Sequence, residues 1–273
     1  MKNHFFIITI ICLLLLACGG EEPQTKTYDY KRADSLPAQY TTHLGNIRVS
    51  IEEINRLNSL FKQNGYSYNS STLNSPAKVS GYSDAKTQAI NLGIYGSDVN
   101  YALAYDQTQD VLNYLKSIAE LAKKLGIEKA FDETLVKKLT ENADTTSDKS
   151  NLLTKAYRFA EDQLHSEERA AIATMMVFGG WVESIYITSS NLKQKPGSAE
   201  INQIAFDHLD TFNDVVEMIK AFEKTNKSCA ELLTVVNEIA GTVDNLIRTK
   251  GNFSSENIET LYTTISGLRS KLI

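Results

Sequence analysis

The segment Asn91-Leu92-Gly93-Ile94-Tyr95-Gly96-Ser97-Asp98, inside a longer run from Ser83 to about Tyr105, decides the fold class. Its apolar residues fall on two helical stripes. Leu92, Val99 and Leu103 with Gly96 mark one, and Ile90, Ile94, Tyr101 and Tyr105 mark the other. A helix apolar on both sides is buried on both sides, so this one must lie inside a helical assembly. Gly93 and Gly96 each cost about 1 kcal/mol of helix stability relative to Ala. Close approach of a neighbouring helix is the compensation the pattern suggests. Asn91 and Asp98 then sit in a core region and need hydrogen-bonding partners.

Outward from this segment the chain keeps a helical period. On the N-terminal side, Ile47, Ile51, Ile54, Leu57 and Phe61 predict an amphipathic helix over roughly 44–63, stopped by Gly65. Residues 65–82 read as a long Tyr-, Asn- and Ser-rich loop, a place where ligands or partners are often met. On the C-terminal side a helix over Asp106–Leu125 ends at Gly126, and Asp132 is a plausible N-cap for a helix over 133–142. Ser147 or Asp148 opens the next helix, which runs through about His165. Ser166 with Glu167 and Glu168 would cap the one after it. That helix, Ala170 to Ile187, carries Glu183 as its sole charge. Its length would permit a membrane span, but Thr174, two glycines, Glu183 and Ser184 favour a core helix. After a turn at Pro196-Gly197-Ser198, three helices carry heptad-like faces: Ile201 to Phe222, Leu232 to Leu246 and Ile258 to Leu272. No strand alternation competes. The expected fold is all-α, a single multi-helix bundle of eight or nine helices over residues 41–273.

The N-terminus has a different character. Lys2, the apolar run Phe5–Leu16 and the small Ala17 make the three parts of an export signal, and that run is too short for a comfortable span. The signal ends in Leu15-Leu16-Ala17-Cys18, which resembles the lipobox of bacterial lipoproteins. The resemblance implies cleavage after residue 17, lipidation of Cys18 and a membrane partner through the acyl chains, which anchor stably when several act together. Residues 18–40 then form a polar tether. Glu21 and Glu22 loosely fit the surface-export signal of Bacteroidota lipoproteins and fit a solvated linker equally well; the expected address is the outer membrane, on its periplasmic or its surface face.

Removing Lys2 with the signal leaves 27 basic against 33 acidic residues, a net charge near −6. That balance argues against nucleic acid as a partner. With Cys12 lost and Cys18 modified, Cys229 is the one thiol left, so no internal disulfide can form and the core alone must stabilise the domain.

Asn91-Leu92-Gly93-Ile94-Tyr95-Gly96-Ser97-Asp98 also resembles the Asn-Leu-Gly-x-Tyr-x-x-Asp motif of a group of uncharacterised helical lipoproteins of Bacteroidota. Val111-Leu112-Asn113-Tyr114-Leu115, Glu120-Leu121-Ala122-Lys123-Lys124-Leu125-Gly126-Ile127 and Gly179-Gly180-Trp181-Val182-Glu183 fit later parts of the same pattern. The resemblance covers most of the domain. It implies the helical fold and the envelope address, and no particular reaction.

The candidate site is a polar pocket of Asn91, Tyr95, Asp98, Tyr101 and Glu183. Two acids stand on the two most apolar helices, each beside glycines that permit close contact. Packed together, they would form a carboxylate pair with one raised pKa, usable as acid and base. The competing reading is a buried hydrogen-bond network that fixes helix register, paired with an arginine such as Arg158. Tyr101, three residues after Asp98, is placed to bond it.

Other chemistry has little support. Asp162-x-x-His165 is half of a di-iron spacing without its other half, so no metal site and no cofactor is expected. His43 and His208 lack a ligand pattern. There is no Gly-x-Ser-x-Gly elbow, and Cys229 lies on an apolar face, so no catalytic nucleophile is assigned. The composition and motifs point to a lipid-anchored envelope protein that binds another envelope protein or a small molecule. An envelope enzyme using Asp98 and Glu183, or a purely structural role, are the alternatives.

Overall fold

Helix starts in this chain are set by local chemistry. Asp84, Ser198, Asn226 and Ser254 each accept a hydrogen bond from the free backbone N–H three residues on, which satisfies an orphan donor of the first turn. Asp132 does the same for Leu135. A computed structural model of the chain describes Leu36 and residues 38–140, 145–166 and 169–273. Signal residues 1–17, Cys18 and the tether up to residue 35 with Pro37 lie outside the described residues, as do 141–144, Glu167 and Glu168.

Among the described residues there are ten α-helices and no strands. They are α1 (Ala38–Gln63), α2 (Ala85–Ala104), α3 (Thr108–Leu125), α4 (Glu133–Thr140), α5 (Thr146–Ser166), α6 (Ala170–Gln194), α7 (Ala199–Asp210), α8 (Phe212–Lys220), α9 (Lys227–Arg248) and α10 (Ser255–Ser270). The all-α bundle expected from the periodicity is the architecture found. The tenth helix arises because the expected Ile201–Phe222 helix is broken at Thr211. There the Trp181 indole N–H reaches the Thr211 hydroxyl at 3.0 Å and the His208 carbonyl at 3.3 Å, diverting backbone and side-chain acceptors from the helical ladder.

Three other expectations shift. α1 starts at Ala38, earlier than the expected 44, because Tyr40 is buried and bonds Thr174 at 3.0 Å, a long-range contact that local periodicity cannot show. The cap of α5 is Thr145, whose hydroxyl accepts from Asp148 N while the Asp148 carboxylate accepts from Thr145 N, a reciprocal capping box. Ser166 does not cap α6. Its hydroxyl donates back to the Gln163 carbonyl at the end of α5, and α6 begins at Ala170.

α2 and α6 form the centre, each buried on nearly every side. They run in the same direction and touch through main chain: a Cβ on Gly93 would lie 1.9 Å from the Met176 carbonyl, and one on Gly179 would lie 2.0 Å from the Ile90 carbonyl. Gly96 answers to a different neighbour than a helix backbone. The Tyr157 ring of α5 occupies the space a Cβ would need, and its hydroxyl donates to Leu92 O at 2.8 Å. By length and composition α6 could cross a membrane, yet 72 % of its most apolar window is buried inside this fold. The other helices wrap the pair, with α10 and α5 against α6 and α3 against α2.

The segment expected to be an open loop, residues 65–82, is instead folded down over α2. It contains two short 3₁₀ turns, Ser70–Thr72 and Pro76–Gly81, and buries Tyr66, Thr72, Leu73, Asn74 and Tyr82. Hydrogen bonds from Tyr68 to Asp110, from Tyr95 to Ser75 O and from Tyr66 to Pro196 O tie it to α2, α3 and the turn before α7. It covers α2 with its buried side chains, while Asn69, Ser70, Ser71, Ala77 and Lys78 among others stay exposed on its outer side.

The glycine contacts make a prediction. Gly93→Ala or Gly179→Ala forces two backbones apart, an overpacking that should cost at least about 3 kcal/mol in urea unfolding. Gly180→Ala, whose Cβ would meet Gly93 O at an ordinary 3.5 Å, should stay within about 1 kcal/mol of the parent.

Candidate functional site

The α2–α6 contact brings the sequence-predicted residues together. Asp98 and Glu183 face each other in the centre of the fold, and Asn91, Tyr95, Asp98, Tyr101 and Glu183 are each at most 1 % exposed. Glu183 is held by Arg269 of α10 in a bidentate pair, Nε to Oε2 at 2.5 Å and Nη2 to Oε1 at 2.8 Å. Arg269 also donates to Thr72 O at 3.3 Å and lies over the Tyr186 ring. Burial and the Glu183 carboxylate beside it push Asp98 well above the usual carboxylate range. A protonated Asp98 explains its contacts. Oδ2 accepts from Asn74 N at 3.2 Å, Oδ1 meets no donor, and a proton held on the carboxyl relieves its repulsion with the neighbouring Glu183. One net negative charge then meets one guanidinium.

Asn91 completes the network. Its amide donates to Thr87 O and to Leu272 O, both at 2.9 Å, and accepts from the Asn74 amide at 3.1 Å. Three expectations are corrected here. The arginine is Arg269, since Arg158 pairs with Glu52 on the far side. Tyr101 does not bond Asp98; its hydroxyl contacts Asn69 N and Asn191 Oδ1, both at 3.4 Å. The group is no open pocket: its five residues are buried, the 65–82 cover and α10 lie over them, and none lines the two clefts found among the described residues.

A cleft does exist on the opposite face of α2. It lies between α1, α2, α5 and α6 and has a volume of about 90 Å³. Ile51, Ile54, Met176, Val177 and Ile187 form its apolar walls, and Gly93, Gly96 and Gly180 also line it. Its polar rim is built from α1 and α5. Arg48 bridges Glu161 and Asp162 at 3.1 Å each, and Arg158 Nη2 meets Glu52 at 2.5 Å. Burial pushes Glu161 up to about 7, against the opposing pull of Arg48. Asn58, 3 % exposed, lines the cleft with a side-chain amide that has no hydrogen-bond partner among the described residues. Asn100 Oδ1 and Arg158 Nε are likewise buried and unbonded.

Two histidines are satisfied in the core. His165 sits 3.2 Å from the Tyr40 hydroxyl while Asp162 pairs with Arg48, so the Asp162-x-x-His165 spacing is spent on separate partners. His208 joins Ser184 on α6, 2.6 Å from Nε2, to Ser50 on α1, 3.0 Å from Nδ1. Burial lowers it to about 3, so it stays neutral. The Ser184–His208 contact has the geometry of a nucleophile and its base. Ser184 stands in mid-helix, however, where the surrounding N–H groups are spent in the α6 ladder and none is free to hold an oxyanion. Burial raises the Cys229 thiol to about 11, as expected of inert packing.

Sequence reasoning missed Arg269, Asn74 and Asn58. Arg269 carried a signal, since it falls four residues after Ile265 on the buried face of α10, where a charge has no place without a partner. No known protein family, curated protein or solved structure matches the chain.

Removing Arg269 alone strands a buried carboxylate, so Arg269→Met should destabilise by about 3–5 kcal/mol in urea unfolding, and adding Glu183→Met should recover most of that loss. A pH prediction follows from Glu161. Its folded pKa near 7 exceeds the unfolded 4.5, so its stabilising protonated form is fully present below pH 4.5 and is lost as pH rises to about 7. The stability of Glu161→Gln relative to the parent should therefore climb across that window, by up to about 3 kcal/mol.

Proposed function

We propose that this chain is a lipid-anchored protein of the cell envelope whose helical domain is a binding module and not an enzyme. The observation that carries the reading is the cleft between α1, α2, α5 and α6: apolar-walled, open at its rim, and lined by the unpartnered amide of Asn58. Beside it Asn100 Oδ1 and Arg158 Nε are buried with no partner, and native proteins seldom leave such groups unbonded, because their desolvation costs about 1–3 kcal/mol. A bound ligand would return that cost. Small-molecule sites have this composition, mostly apolar with a few converging polar groups.

The enzyme alternative needs Asp98 and Glu183 to open to a substrate. They are adjacent, as that alternative requires, but sealed beneath residues 65–82 and α10, with Glu183 already held by Arg269. A purely structural role leaves the Asn58 amide without a reason. The address rests on the lipobox-like Leu15-Leu16-Ala17-Cys18 and on the Bacteroidota resemblance, which favour the outer membrane, with the membrane engaged through lipidated Cys18.

Two measurements test this reading. The parent should label with palmitate and pellet with membranes after a high-salt wash, whereas Cys18→Ala should fail to label and should appear in the soluble fraction. Native mass spectra of the protein released gently from its own envelope should show a reproducible added mass in the parent. A bare protein mass in repeated preparations would remove the ligand-binding reading.

A further inference from the structure

The groups around the cleft restrict what it can hold. Its walls exclude a wholly polar ligand, because Ile51, Ile54, Met176, Val177 and Ile187 offer no hydrogen bonds and gain most from covering apolar surface. Its charges are already neutralised: Arg48 is committed to Glu161 and Asp162, and Arg158 to Glu52. A charged head group would enter without a free counter-ion and would lose its hydration for little return. The buried groups that remain without a hydrogen bond are two acceptors, Asn100 Oδ1 and Glu161 Oε1, and one donor, Arg158 Nε, and beside them the Asn58 amide, with no partner among the described residues, opens to the cleft. A carboxylate can only accept and an ammonium can only donate, so either leaves one set unpaired. A hydroxyl or a carboxamide does both.

We propose that the cleft binds an uncharged amphiphile, its apolar body against Ile54, Met176, Val177 and Ile187 and a hydroxyl or carboxamide head hydrogen-bonded to Asn58 and Asn100. This assignment deepens the binding reading above and rests on it. Asn58 is then a ligand group carried at the expense of the empty protein's stability. Leucine, nearly isosteric and apolar, would suit the empty cleft better than asparagine does.

The test uses the full-length protein in detergent-free lipid nanodiscs, titrated calorimetrically with octanol, octanamide, octanoate and octylammonium, with empty nanodiscs as background. Octanol and octanamide should bind saturably and about tenfold or more tighter than the two charged probes. Asn58→Leu should weaken both neutral probes about tenfold while raising the melting temperature of the ligand-free protein. Val177→Phe, which fills the cleft, should abolish binding. Asn58→Leu keeps the test standing if the larger substitution prevents folding.

Charged probes binding as tightly as neutral ones would overturn the assignment. So would neutral binding that survives Asn58→Leu, or a lower melting temperature in that variant, since a structural asparagine would behave that way. The two levels can be told apart. A natural added mass that no probe displaces refutes the head-group chemistry and leaves the binding reading intact. Bare spectra together with silent titrations refute both.

Discussion

The structure depends on one contact, the meeting of the α2 and α6 main chains at Gly93 and Gly179. With no side chain between them, main chain meets main chain: a Cβ on either glycine would overlap the carbonyl of the facing helix. Ser97 then donates across the interface to the Gly180 carbonyl at 2.9 Å, a bond that needs this proximity. Five residues beyond Gly93 and four beyond Gly179, the same register sets Asp98 against Glu183. The acids are therefore neighbours because the glycines are.

That proximity creates an electrostatic problem that the rest of the fold resolves. Two carboxylates in a water-free core cannot both stay ionised beside a single guanidinium. Retaining the proton on Asp98 reduces the charge to one, and Arg269 balances it. α10 is thereby fixed antiparallel along α6, with Tyr262 stacked on Tyr186 and Lys193 paired to Glu259 further along. The 65–82 segment is held by the same network through Asn74 N, the Asn74 amide and Thr72 O. A polar core of this kind adds little net stability over an apolar one, but it accepts only one arrangement of α2, α6, α10 and the cover. α2 thus divides the interior into two polar environments of opposite kind. On one side most groups are paired by the protein itself, with Asn74 Oδ1, Asp98 Oδ1 and the Tyr105 hydroxyl as the exceptions. On the other, around Asn58 and Asn100, the pairing is incomplete and the walls are apolar.

Much of the fold was legible along the chain because helix periodicity, caps and glycine stops are local. α2, α3, α9 and α10 were expected near their observed positions for that reason. Departures occur where a distant group intervenes. Trp181 splits the helix after Pro196 at Thr211, thirty residues away in sequence. Thr174 draws Tyr40 into the core and extends α1 toward the N-terminus. Residues 65–82 looked like a loop because their Asn, Ser and Tyr residues show no period. Their order comes instead from bonds to α2, α3 and α10, which no local pattern encodes.

The candidate site divides along the same line. Sequence alone determined that Asn91, Asp98 and Glu183 were polar groups on fully apolar helices, and hence that they required partners, because burial of a helix can be read from its two apolar stripes. It determined as well that the glycines beside them marked close contact. Only the tertiary structure decided which partners those were. Arg269 stands 86 residues from Glu183 and Asn74 stands 24 from Asp98, and the choice between Arg269 and Arg158 depends on which helix lies over α6. The cleft was invisible for a stronger reason. It is the space that four helices fail to fill, set by side-chain volumes and crossing geometry, and no single segment of the chain carries a mark of it.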